Sequence, residues 1–361
     1  MNYVAPAWLP GGQLQTIWPA LYARRVFGPH PQYRRERWDT PDGDFIDVDF
    51  LDEAATPGAG AALAPGRNEV RAATSVGVEK PLLVLFHGLE GSSRSHYAEA
   101  FADFAREHGL AFAVPHFRGC SGEINRAPRA YHSGDFEEVG WILARFQARR
   151  QAQAGPGRVA APLVAVGISL GGNALMCWAA EMGASARAFA SAVAAVCSPI
   201  DLAAGGYAIG RGFNRLVYTR MFLQTMKPKA LQKLAQHPGL FDGAALQAAR
   251  DLYEFDNLFT APLHGFRSTE DYWARASAKP RLAQIGIPAL VVNARNDPFV
   301  PAWCLPHQNE VGAHVTLWQP AHGGHVGFPT GRVPGHVRAM PDAVGGWLAA
   351  AAAGFAPDAA P

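Results

Sequence analysis

The chain has 361 residues, 49% of them hydrophobic, which is enough to bury the core of one large α/β domain or two modest ones. Its 32 basic and 30 acidic residues leave a formal charge of +2, without the basic run that would follow a nucleic-acid backbone, so no nucleic-acid partner is expected. Four widely spaced cysteines, Cys120, Cys177, Cys197 and Cys304, form neither a C-x-x-C pair nor a disulfide framework and read as buried free thiols.

The N-terminal MNYVAPAWLPGGQLQ lacks both the basic and the apolar region of a secretory signal. No stretch reaches the ~18 consecutive apolar residues that a spanning helix needs. A cytoplasmic protein without a membrane span is expected, which leaves room for peripheral membrane contact. Residues 33–51, YRRERWDTPDGDFIDVDFL, place Pro-Asp-Gly-Asp between two alternating runs and predict a hairpin. Residues 54–80 are rich in Ala, Gly and Pro without an apolar period, and read as a mobile surface connection.

From residue 82 short apolar runs alternate with helical patterns: LLVLFHG, HYAEAFADFAREHG, LAFAVPHF, FEEVGWILARFQARR and PLVAVGIS. This predicts a mostly parallel sheet covered by helices on both faces. AFASAVAAVCSPIDL (188–202) is a further strand candidate, with a helix open for its first half. Residues 203–279 carry helical patterns only and read as a cap inserted between sheet strands. The sheet resumes with PALVVNARND and HVTLWQP, and a last helix follows around VRAMPDAVGGWLAA. The predicted organisation is an arm and hairpin over 1–53, a flexible insertion over 54–80, a core over 81–202 and 280–352, a helical cap over 203–279 and a tail over 353–361.

GISLGGN, residues 167–173, lies where a predicted strand gives way to a helix. In that context G-x-S-x-G has mechanical meaning, because the glycines permit a turn tight enough to hold Ser169 in an unfavourable backbone region. A serine nucleophile needs a base, and the base needs an orienting carboxylate, here in the chain order nucleophile, acid, histidine. Asp297 ends the strand-like ALVVNARND, while Asp201 reads as structural. HGGHVGF offers His322 and His325, and spacing leaves both open; as a metal pair they lack the further ligands that would complete a shell. The amides of Leu170, after the serine, and Leu89, in HGLEGSS after an early strand, are the candidates to receive an oxyanion.

PAWLPGGQLQTIWP, DGDFIDVDF, FHGLEGSSRSHY, HFRGCSGEINRAPRAYHSGDFEE, GISLGGN, ARNDPFVP and HGGHVGF together resemble the YheT-type family of α/β-hydrolases, to which eukaryotic ABHD lipases and yeast medium-chain ethyl-ester synthase/esterases are related. The resemblance covers about residues 5–350, apart from 54–80. It implies an α/β-hydrolase fold, a catalytic set of Ser169, Asp297 and His325, carboxylic-ester substrates with short to medium acyl chains, and no cofactor. Substrate-lining candidates are His87, Glu90 and Arg118 on the core, with Phe213, Tyr218 and Phe222 among apolar cap residues at helical spacing. The polar run 116–135 reads as a loop bonded internally that buttresses the serine turn. The alternatives carried are transfer of the acyl group to an alcohol, and a catalytically silent hydrolase fold that binds a ligand.

Overall fold

The structure, a computed structural model, describes residues 2–52 and 79–354. Most of the predicted mobile connection and of the tail lies outside the described residues. Eight strands form one sheet: β1 (Tyr33–Asp39), β2 (Phe45–Leu51), β3 (Leu82–Phe86), β4 (Ala111–Pro115), β5 (Leu163–Ile168), β6 (Ala192–Val196), β7 (Ala289–Val292) and β8 (Val315–Trp318). Their spatial order is β1-β2-β4-β3-β5-β6-β7-β8. β3 to β8 run parallel, whereas the β1–β2 hairpin adds antiparallel to the edge of β4.

β3, β5 and β6 are buried at every position, as expected of strands covered on both faces, and this is why they appear in the sequence as unbroken apolar runs. Alternate side chains feed two cores. Leu82, Val84 and Phe86 pack with helices α3 (Phe136–Ala154) and α4 (Leu170–Met182) through Ile142, Phe146, Leu175 and Trp178. Leu83 and Leu85 pack on the other face with α2 (His96–Glu107) and the C-terminal helix Ala339–Gly354.

The hairpin departs from simple polar-out alternation. Asp47 and Asp49 of β2 are buried, and each lies directly across from an arginine, Arg37 and Arg35, which grips it in paired hydrogen bonds of 2.7–3.0 Å. A helix absent from the sequence reading, α1 (Gly12–Leu21), precedes the hairpin. Within AFASAVAAVCSPIDL the strand occupies only Ala192–Val196, and the residues before it form a 3-10 turn, Gly183–Ala188, and a short connection.

Between β6 and β7 the chain forms helices and turns only, among them Leu202–Ile209, Arg220–Gln236, Gly243–Ala248 and Thr269–Ala276. Two π turns, Arg215–Thr219 and Asp256–Thr260, interrupt this segment. No helix among the described residues is long and apolar enough to cross a membrane.

Candidate active site

Ser169 stands between β5 and α4 at φ 52° and ψ −118°, a backbone conformation that a residue with a side chain rarely adopts. The surrounding glycines explain how the chain tolerates it. A Cβ on Gly167 would come within 2.4 Å of Gly172 Cα, and one on Gly171 within 2.4 Å of the His87 carbonyl oxygen. The strand, the turn and the neighbouring loop therefore meet at backbone distance, with Ser169 lifted at their junction. Its own N–H donates to Val196 O at 2.8 Å, pinning the turn to β6.

Asp297 follows β7 and is 5% exposed. Its Oδ1 accepts the N–H groups of Phe299 and Val300, at 2.7 and 3.2 Å, so one oxygen is fixed by the turn that Pro298 begins. The other, Oδ2, lies 2.9 Å from His325 Nδ1, and His325 Nε2 lies 3.0 Å from Ser169 Oγ. The three side chains form one chain of hydrogen bonds. A carboxylate can only accept, so Nδ1 carries the imidazole proton and Nε2 is left as acceptor toward the serine hydroxyl. His322 is exposed, and among the described residues its polar contact is Asn296 Nδ2, 3.4 Å from Nδ1. Of the two histidines that spacing left open, His325 alone reaches Ser169 and Asp297.

The loop carrying His325 owes its path to α1, a signal the sequence held in PAWLPGGQLQTIWP but gave no role. Thr16 Oγ1 accepts the His325 N–H at 2.8 Å, and Gln15 Oε1 accepts the Gly323 N–H at 3.0 Å. The loop glycines let the two backbones touch, since a Cβ on Gly327 would sit 1.8 Å from the Gln15 carbonyl oxygen. Phe299 stacks on the His325 ring at 4.1 Å and walls off its face.

Leu89 and Leu170 line the same cavity as Ser169 and His325. Among the described residues, neither the Leu89 nor the Leu170 N–H has an acceptor within the protein. The Leu89 loop is held by Tyr97, whose hydroxyl accepts the Gly88 N–H at 3.0 Å.

The family described as alpha/beta hydrolase fold matches residues 81–331. "Putative esterase YheT" of Escherichia coli (strain K12) is 38% identical over 318 residues, covering 87% of this chain and 83% of its own. The chain is a YheT-type α/β hydrolase. "Phospholipase ABHD3" of Mus musculus is 29% identical over 311 residues, covering 85% of this chain and 69% of its own. Est1E from Butyrivibrio proteoclasticus, solved with ferulic acid bound, shares the fold with a TM-score of 0.50 at 15% identity, over 89% of this chain and 99% of its own.

In this YheT-type hydrolase the remaining predicted residues separate clearly. Phe222 lines the cavity at Ser169, and Tyr218 and Glu90 line the cleft that opens from it. Glu90 is bonded to the Tyr131 hydroxyl at 2.9 Å and to Lys229 at 2.8 Å. Three candidates do not line the serine cavity. His87 is fully buried behind the loop, with Nδ1 at 2.7 Å from Gly88 O and Nε2 accepting the Phe117 N–H; burial lowers its pKa to about 3 and keeps it neutral. Arg118 is consumed by Asp42, Asp44 and Glu138, and borders only an adjoining cavity. Phe213 is exposed.

The polar run 116–135 is bonded internally and outward. Asn125 donates to Asp44 and to the carbonyls of Ala127 and Arg129, Arg129 pairs with Asp135, and Lys233 donates to the carbonyls of Asn125 and Ala127. Asp201 caps the helix Leu202–Ile209 by accepting the Ala204 N–H.

Two further groups at the site carry chemistry. Ligand atoms of Cys197, Asp297 and His325 lie within 4.8 Å of one another. Burial holds the Cys197 thiol well above its usual pKa, and Asp297 and His325 are already bonded to each other, so the set is poorly suited to a cation. Asp256, in the second π turn, also lines the serine cavity. Burial pushes its carboxyl up to about 6, against hydrogen bonds from Thr260 and Trp273.

Proposed function

We propose that the protein hydrolyses carboxylic esters through an acyl-Ser169 intermediate, with His325 as general base and Asp297 as the group that orients it. The protein is a hydrolase of the esterase and lipase kind; that much rests on its family and on relatives named esterase, phospholipase and monoacylglycerol lipase. The assignment of atoms rests on one observation, the unbroken contact from Asp297 Oδ2 through His325 to Ser169 Oγ.

His325 Nε2 takes the hydroxyl proton as Oγ attacks the ester carbonyl carbon. The Leu89 and Leu170 amides donate to the oxygen that becomes negative, and being preorganised they need no rearrangement as charge develops. His325 then returns the proton to the departing alkoxide. Water then gives its proton to the same imidazole as it attacks the acyl carbon, and the acyl–Oγ bond breaks with His325 returning that proton to Ser169 Oγ, which releases the acid. The helices between β6 and β7 act as a cap, and Leu202, Ile209, Phe222, Met226 and Leu252 give the acyl chain an apolar wall.

A fluorophosphonate probe read by mass spectrometry tests the nucleophile, with the adduct expected on Ser169. Ser169→Ala should lower kcat by a factor on the order of 10⁶, as where such a set acts as a unit. Failure to label, or retention of more than about a tenth of the esterase activity in the folded variant, would remove Ser169 from its role.

A further inference from the structure

The mouth of the serine cleft is framed by two elements of unusual composition. One is α1 and its flanks: residues 1–33 contain no Asp or Glu, and include Arg24 and Arg25. The other is the segment 202–241, again without Asp or Glu, with six Lys and Arg. Arg25 is paired with Glu99, Lys229 with Glu90, and Lys233 is buried, which leaves Arg211, Arg215 and Arg220 exposed on the second segment as a local cationic field beside the opening.

The same two elements expose large apolar side chains. Leu14, Leu21 and Tyr22 of α1 face solvent, as do Phe213, Leu216 and Met221 across the opening, Leu216 being 73% exposed. The two sets adjoin, because Gln13 is bonded to both Asn214 and Tyr218, and Leu21 and Met221 border the same cleft. α1 itself carries no charged residue, and the Trp18 and Tyr22 rings pack at a tilt near its end, just before Arg24 and Arg25. Aromatic rings and apolar side chains bordered by arginines are what settle at the boundary between lipid headgroups and acyl chains.

We propose that this rim docks on an anionic lipid surface, so that the cleft opens toward the bilayer. Exposed Arg215 and Arg220 flank Leu216 and supply charge complementarity. Of the carboxylates nearby, Glu99 is paired with Arg25 and Glu90 with Lys229, and Glu254 is paired with Arg250 while lying near Arg215. The inference goes beyond ester hydrolysis and is read by binding, so it stands or falls separately from the role of Ser169.

The test is co-sedimentation of the full chain with vesicles of phosphatidylglycerol and phosphatidylcholine in equal parts, and with phosphatidylcholine alone. The protein should pellet with the anionic vesicles and release as salt is raised. L14D/L216D, which removes apolar contact, and R215E/R220E, which reverses charge, should each weaken that binding by at least about tenfold. None of the four residues lines the cleft, so hydrolysis of a water-soluble ester by both variants should match the parent and show that they are folded. No preference for anionic vesicles overturns the proposal, as does undiminished binding by both variants. If, without vesicle binding, L14D/L216D splits a dimer seen in solution, the patch belongs to a second copy of the chain.

Discussion

At the scale of single residues, the site depends on how firmly His325 is aimed. Its ring is held at both nitrogens, its face is covered by Phe299, and its backbone N–H is tied to Thr16. His325→Ala should therefore approach the loss seen on removing Ser169, whereas His322→Ala should leave kcat nearly unchanged because that imidazole is exposed. Equal losses in purified variants assayed side by side would leave the base unassigned. Thr16 touches none of the reacting atoms and is a positioning residue. Thr16→Val keeps the shape but removes the acceptor, and kcat should fall about tenfold with KM little altered, since an aim off by a fraction of an ångström is felt in the transition state. Thr16→Ser should restore the rate. A change in KM alone would show that Thr16 acts on substrate binding instead.

At the scale of elements, two connections carry the site's geometry. Glu90, next to Leu89, is held at φ 58° by the Tyr131 hydroxyl, which accepts its N–H, and by Lys229 of the helix Arg220–Gln236. The oxyanion loop is thereby fastened to the segment above it. Lys229→Met should lower kcat several-fold more than it raises KM, measured as a full saturation curve; an effect confined to KM would place Lys229 in substrate binding. The hairpin is the second connection. The Arg149 guanidinium beside Glu36 holds its carboxyl at about 2 against burial. Burial pushes Asp49 up, but hydrogen bonds from Arg35, His116 and Ser93 outweigh it and hold that carboxyl well below the usual range. Both folded pKa values lie below the unfolded values of about 4, so their stabilisation is complete above about pH 5 and is lost as pH falls through the folded values. Thermal unfolding followed from pH 5 downward should show the melting temperature dropping steeply, and Asp49→Asn should flatten that slope; an unchanged slope would place the acid sensitivity elsewhere. These elements also show what the sequence discloses. β3, β5 and β6 were legible because burial on both faces writes itself as apolar runs, and Ser169 was legible because a strand stops at it. α1 was not: GGQLQTIWPAL starts after glycines, contains Pro19 and has no charged face to set against its apolar one. Spacing could not choose between His322 and His325 for the same reason, since α1 sets the loop's path, and only the family resemblance named His325. Phe213 was misjudged because an apolar stripe does not report which of its members reach the cavity: it lies nine residues before Phe222, half a turn out of phase in a regular helix, and is exposed.

At the scale of the whole molecule, the proposed catalytic groups Ser169 and Asp297 follow β5 and β7, and much of the apolar wall of the cavity that holds Ser169 comes from the helices inserted between β6 and β7. Leu202, Ile209, Phe222, Met226, Leu252 and Trp273 all reach the cavity that holds Ser169, and the core adds Leu89, Leu170, Pro199 and Phe299 beside Ser169 and His325. Acyl preference should accordingly be set by the inserted helices and vary without touching the chemistry. Each methylene moved from water to such a wall contributes roughly 0.8 kcal/mol, about a fourfold rise in kcat/KM when that energy is expressed in the transition state. Across p-nitrophenyl esters, kcat/KM should climb from acetyl to roughly hexanoyl or octanoyl and then level or fall as the cavity fills. Asp256 adds a condition. It borders the same cavity and ionises near pH 6, so a chain that passes close to it should gain less per carbon above that pH than below it. Phe222→Ala should flatten the climb for the longer chains while leaving the acetyl rate close to the parent, because the acetyl group ends before the aromatic wall. A series that declines steadily from acetyl would mean that the inserted helices close the acyl site instead of lining it, and an equal loss on every ester in Phe222→Ala would move that side chain from specificity to the support of the catalytic groups.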